Sequence, residues 1–181
     1  MPRKIALYSA ALVLIALSGC ATPAASSSAF DELGDLTLVE SKAPTQFLRN
    51  EAASRVPKVV VQDVAETTDA SVACLGAAVD PDGLARQWNS TAVFLVTNSQ
   101  AARVATVTDG VAASFVDQGW TAQQIEGSTV LSSTSSPVVM RLEAVDKAPG
   151  MHAQIMITTT GPCVVTDGPD SDEVTGLEST L

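Results

Sequence analysis

With one histidine, three cysteines and 4% aromatic residues, this 181-residue chain is short of the groups that several common chemistries need. A histidine-dependent mechanism has only His152 to draw on. Zinc centres and disulfide exchange lack their usual ligand set and C-x-x-C pair. Bases are scarce too: ten Lys and Arg stand against 20 Asp and Glu, a formal charge of -10, with an isoelectric point near 4.3. That balance excludes a nucleic-acid binder, which needs a basic face for phosphates. An anionic lipid surface would repel it as well. No G-x-S-x-G elbow, P-loop, Rossmann glycine triplet or H-E-x-x-H helix occurs, and few aromatics are left for sugar stacking. The length excludes two large domains. A mean hydropathy of +0.24 is too apolar for a disordered chain, although one N-terminal segment supplies part of it.

That segment starts with Arg3 and Lys4 and runs uncharged from Ile5 to Leu17, too short to span a bilayer but suited to an export signal. It ends in Leu17-Ser18-Gly19-Cys20, which resembles the lipobox of bacterial lipoproteins at every position. The resemblance implies cleavage before Cys20 and a diacylglyceryl group on its thiol, two acyl chains that anchor stably where one would not. Loss of Arg3 and Lys4 leaves eight bases against 20 acids, a formal charge of -12. Residues 21–29, ATPAASSSA, have nothing to bury and read as tether. The expected organisation is a signal peptide over 1–19, a lipidated N-terminus and tether over 20–39, a globular domain over 40–166 and an acidic flexible tail over 167–181.

With Cys20 acylated and the chain exported, Cys74 and Cys163 remain in an oxidising compartment and are expected to form one structural disulfide. The competing reading, a redox or metal-binding thiol pair, has neither motif nor partners.

Within the domain, Glu40 to Val56 places Phe47, Leu48, Ala52 and Val56 at helical spacing, with Pro44 tolerable near the first turn and Pro57 as a stop. KVVVQDVAE from Lys58, then TTDA, then SVACLGAAV read as a hairpin. Asp80-Pro81-Asp82-Gly83 is a turn signal. Arg86 to Thr97 reads as a central strand covered on both faces. Ser99 to Gln118 places Val104, Val107, Val111 and Phe115 on one helical stripe, capped by Asn98 or Ser99 and ended by Gly119. Gln124–Ser132, Pro137–Val145 and Met151–Thr160 complete a three-stranded meander. The expected fold is α+β, one antiparallel sheet with two helices packed on one face and a single disulfide.

The lipobox, the tether, the helix from Lys42-Ala43-Pro44 to Val56-Pro57, the cysteine-bearing strand, Gln87-Trp88, Gly119-Trp120 and the closing Gly161-Pro162-Cys163 together resemble small actinobacterial lipoproteins of uncharacterised function. The resemblance spans most of the mature chain. It implies the anchor, the disulfide and the fold, and no catalytic residue.

Few residues suggest chemistry. Asp80 and Asp82 are the one neighbouring carboxylate pair that could serve a cell-wall glycan hydrolase, although the turn demands the same residues locally. His152 reads as an exposed, inert strand residue. Asp167, Asp170, Asp172 and Glu173 lack the glycine and terminal glutamate of a calcium loop, and no cofactor or metal is expected. Asn89-Ser90-Thr91 matches a glycosylation sequon of little meaning in a bacterial lipoprotein. Trp88 and Trp120 suit either a core or an interface. The function expected is a non-enzymatic binding domain on the outer face of the cytoplasmic membrane, with an envelope protein or lipid as partner. A lipid or small-molecule carrier and a carboxylate-dependent cell-wall enzyme are the alternatives.

Overall fold

A computed structural model describes residues 30, 33, 35–147 and 151–179. The expected export signal over 1–19, Cys20 and the expected tether over 21–29 lie outside the described residues. The elements run α1 (Leu38–Ser54), β1 (Val61–Ala73), β2 (Ala85–Val96), a 3₁₀ turn (Asn98–Arg103), α2 (Val104–Val116), β3 (Thr121–Ile125), β4 (Ser128–Ser133), β5 (Ser136–Val145), β6 (Gln154–Thr160), β7 (Val164–Val165) and α3 (Asp172–Glu178). The strands form one antiparallel sheet in the order β1-β2-β6-β5-β4-β3, with the short β7 added beside the start of β2. The chain is α+β, and Cys74 and Cys163 are joined, their Cα atoms 5.9 Å apart.

Helix α1 begins where its first donors find acceptors. Thr37 Oγ1 accepts from the Glu40 N–H, and the Glu40 carboxylate accepts from the Thr37 N–H at 2.9 Å, a reciprocal capping box. The helix therefore starts two residues before the expected Glu40, and Pro44 sits in its second turn on the exposed side. Its inward stripe also differs from the expectation. Leu48, Ala52 and Val56 are buried at four-residue intervals, whereas Phe47, about 100° round the helix from Leu48, is 67% exposed. Toward the N-terminus the stripe continues with Ser41 and Thr45, both buried.

The hairpin expected from Lys58 onward is a single 13-residue strand. Thr67-Thr68-Asp69-Ala70 contains no glycine or proline to turn the chain, and its residues pair one for one with β2 from Thr67↔Ala92 to Ala70↔Asn89. Register shifts between Val61 and Asp63 and between Val64 and Glu66 disturb the strict alternation that identifies a strand in sequence. Strand β2 is flanked on both sides as expected, but only one face is fully covered: Trp88, Ser90, Ala92, Phe94 and Val96 are buried on it, whereas on the other Val93 is buried and Gln87, Asn89, Thr91 and Leu95 are half-buried.

Val104, Val107, Val111 and Phe115 are all buried, so the stripe of α2 is as read. The first five residues of the expected helix, with Asn98 before them, form the 3₁₀ turn instead, and neither helix start has a side-chain cap. Gly119 ends the segment at φ +91°. The expected strand Gln124–Ser132 is a β3–β4 hairpin, because Glu126 and Gly127, at φ 51° and 80°, supply the two left-handed residues of a tight turn. Val138, Met140 and Leu142 on β5 and Ile155 and Ile157 on β6 line the dry face, as their alternation predicts.

Two clusters fill the interior. The larger joins Leu48, Ala52 and Val56 of the first helical segment, the α2 stripe and the dry-face residues of β2, β4, β5 and β6. The smaller consists of Leu38, Trp88, Val164 and Val174, with Leu177 against it. It gives the C-terminal residues a packed role in place of the flexible tail expected over 167–181. Ser171 caps α3, Val174 is fully buried, and Glu178 accepts from the Ser71 N–H at 3.0 Å.

Between the clusters runs a polar seam. Arg49 pairs with Asp69 at 3.3 Å, both side chains less than a tenth exposed. Asp69 also accepts from Trp88 Nε1 at 3.3 Å and from Ser90 Oγ. Thr159 Oγ1 donates to the Thr45 carbonyl at 2.8 Å. Here α1 lies so close to the sheet that a Cβ on Gly161 would overlap Ser41 Oγ and press on Thr45 Oγ1. Only glycine fits that approach.

Candidate functional site

The sequence candidates do not converge. Asp80 is 4% exposed, and its two carboxylate oxygens accept from the Leu84 and Ala85 N–H groups at 2.9 and 2.7 Å, while Gly83 takes φ +65°. Both oxygens thus serve the turn, and Asp82 lies exposed beside it. His152 is half-buried ahead of β6 rather than exposed, and its Nδ1 has no hydrogen-bond partner among the described residues. Asp172 and Glu173 belong to the first turn of α3, where acids complement the helix dipole. No three His, Cys, Asp or Glu residues among those described are grouped so as to hold a metal ion. Asn89-Ser90-Thr91 lies within β2 with Ser90 buried. Trp88 is fully buried, and Trp120, half-buried, meets Phe115 edge-on with ring centroids 5.6 Å apart. Trp88 is thus a core residue, and Trp120 packs against the edge of the larger core.

Another place went unnoticed in the sequence. α1 ends at Ser54, and from Pro57 the chain turns through Val59, 74% exposed, into β1. Here β1 lies at the end of the sheet order, and α1, which packs mainly on β2, β6 and β5, meets it further along through the Arg49–Asp69 pair. The result is a hollow of about 290 Å³ lined by Ala53, Val56, Val61, Val64 and Phe94, with Lys58 beside them. Phe94 is the buried floor, and Val64, its direct partner across the strands, stays 51% exposed. Such a space holds one or two aliphatic side chains, below the usual range for a cofactor or drug-sized ligand. Its sequence signal was the apolar run Val59-Val60-Val61, which a hairpin reading assigns wholly to a sheet.

A second hollow, of about 330 Å³, lies beside the start of α1. Leu36, Thr37 and Val165 line it together with Asp35 and Glu173.

No protein-family profile, curated protein or solved structure compared with the chain matches it. No helix among the described residues is long and apolar enough to cross a membrane.

Proposed function

We propose that this chain is a non-enzymatic binding domain, held by a diacylglyceryl anchor on Cys20 at the outer face of the cytoplasmic membrane, that engages another envelope protein. The likeness of Leu17-Ser18-Gly19-Cys20 to a lipobox supports the address, and the likeness to small actinobacterial lipoproteins supports the setting. The segment from Cys20 to Leu38 allows the domain to stand up to roughly 60 Å from its anchor if fully extended.

The observation that carries the binding reading is the apolar hollow past the end of α1, lined in part by the half-exposed Val64, with the exposed Val59 next in sequence to the lining residue Lys58. Apolar surface gathered at a concave place is the kind of feature that marks interaction sites. The same observation favours a protein partner over a carried lipid. The main core is closed, with Phe115, Leu131 and Ile157 at 1% exposure or less, and the hollow outside it is open and small for an acyl chain. A cell-wall enzyme built on Asp80 and Asp82 would need Asp80 to give up two backbone donors.

A photoreactive residue at Val59 in living cells tests this reading. We expect one recurrent protein adduct that disappears with Val64→Glu. Adducts confined to lipid would replace the binding domain with the carrier. Separately, Cys20→Ser should move the protein from the membrane to the soluble fraction; retention would refute the anchor.

A further inference from the structure

We infer that the partner presents an extended segment that adds to the outer edge of β1, inserting an apolar side chain into the hollow and setting basic residues beside Asp63 and Glu66. This rests on the binding reading above and names the chemistry of its partner.

The two register shifts in β1 sort its side chains by threes. Val61 and Val64, opposite Val96 and Phe94, share the face that carries the core and the hollow. Asp63 and Glu66, opposite Leu95 and Val93, share the other face, and both are exposed. One short stretch of edge therefore offers apolar surface on one side and two carboxylates on the other. A strand laid alongside it would alternate in the same sense, because neighbouring side chains of a strand point to opposite faces. The complementary pattern is basic, apolar, basic. Lys58, which lies beside the hollow ahead of β1, limits those bases to the Asp63–Glu66 side.

Charge also selects the occupant. A second copy of this chain, itself at -10, would bring acids against acids along the edge, and like charges directly opposite destabilise a strand pair. Bulges and edge charges are ordinary defences against indiscriminate strand pairing. Here they leave one complement, a basic strand with an aliphatic residue at its centre, in the manner of other strand-addition sites where backbone bonds give affinity and a pocket gives selectivity. Beyond this stretch the edge is engaged by α3, through Glu178 and the Ser71 N–H. The length of edge among the described residues that α3 leaves uncovered is thus the stretch around 61–68, where Asp63 Oδ1 accepts from the Val64 N–H at 2.8 Å and an added strand would take over that donor.

The test uses the full-length chain in mild detergent and a capped, fluorescently labelled peptide of sequence GKVKLKVKG, with GEVELEVEG as control. The basic peptide should bind and slow hydrogen exchange at residues 61–68, and the acidic one should not bind. Asp63→Lys with Glu66→Lys should weaken binding at least tenfold. Val64→Glu should abolish it without changing Trp88 fluorescence, since Val64 is half exposed and far along the strand from Trp88. Equal binding by the acidic peptide, unchanged affinity in the double lysine variant, or protection elsewhere in the chain would overturn the inference. So would no binding at millimolar peptide. If Val59 still crosslinks to a protein in cells when the peptide fails, strand addition falls and the binding domain stands. Failure of both experiments removes both.

Discussion

The two interior clusters are built on different principles. The larger is almost wholly aliphatic and aromatic, assembled from stripes on α2 and the dry faces of four strands. The smaller has four fully buried apolar residues, and every element that reaches it carries an extra fastening. Leu38 follows the Thr37–Glu40 box, and Val164 follows the bonded Cys163. Val174 lies on a helix held by Glu178 and by Lys42, whose Nζ donates to the Leu177 carbonyl at 2.6 Å while lying 4.6 Å over the Trp88 ring. Where apolar area is plentiful, packing does most of the holding, and Arg55, over the Phe115 ring and bonded to Ser114 and Gln118, adds to it at the rim. Where it is scarce, covalent, charged and capping interactions make up the difference.

The sharpest way to break this contrast is to remove the disulfide. Closing a loop of 89 residues is worth at most about 4.6 kcal/mol in the chain-entropy account. Replacing Cys74 and Cys163 by serine should lower stability by about that ceiling, with hydrogen exchange rising first in β7 and α3 while α2 keeps its protection. Equal loss of protection in both clusters would show that they are one unit. Phe115→Ala should cost about 4 kcal/mol in urea unfolding, because the fully buried ring leaves a cavity and abandons Trp120. Its effect should reach α2 and the sheet before α3.

The seam between the clusters allows a finer test. Asp69→Leu alone strands the Arg49 guanidinium in the interior and should cost about 3 kcal/mol. Adding Arg49→Met should restore most of it, since an apolar pair replaces a buried charge pair at little net cost. A double variant no better than the single one would mean that Trp88 and Ser90, not Arg49, are the partners that matter to Asp69.

Much of the larger cluster could be read from the sequence, because its residues repeat at the spacing of a helix or a strand. The Val104-Val107-Val111-Phe115 stripe and the alternating residues of β5 and β6 are such cases. The smaller cluster could not be read. Leu38, Trp88, Val164 and Val174 come from four separate elements, and no local period connects them. A seven-residue helix among acids looks like a solvated tail until tertiary contacts are known. The hollow was hidden for a related reason. Bulges in β1 replace the period of two by a period of three, and the Val61–Val64 and Asp63–Glu66 pairs lose the alternation that would mark their faces.

The smallest effects concern the cap. Thr37→Ala should cost about 1 kcal/mol by thermal melting, the usual price of losing an N-cap hydroxyl. Hydrogen bonds from the Thr37 backbone and then its side chain hold the Glu40 carboxyl below its usual value of 4.5, against a smaller opposing effect of desolvation. Because the folded value is lowered, the stabilisation is fully present above 4.5 and is lost as the pH falls through the lower folded value. Glu40→Gln should therefore melt below the parent at neutral pH and approach it in acid. A gap that persisted unchanged at low pH would assign the effect to shape rather than charge.

The bond between Cys74 and Cys163 also sets how the molecule would carry tension. Pulled by its two ends, the chain would transmit force along α1 and β1 to Cys74, cross to Cys163 and leave through β7 and α3. Residues 75–162 lie outside that route, so full extension would be shorter by roughly 300 Å than that of the reduced chain. Most of the large cluster's strands, together with α2, could lose their neighbours under load and still remain a closed loop. Loaded at its two ends, the molecule would yield first at its margins and keep its centre ready to re-form.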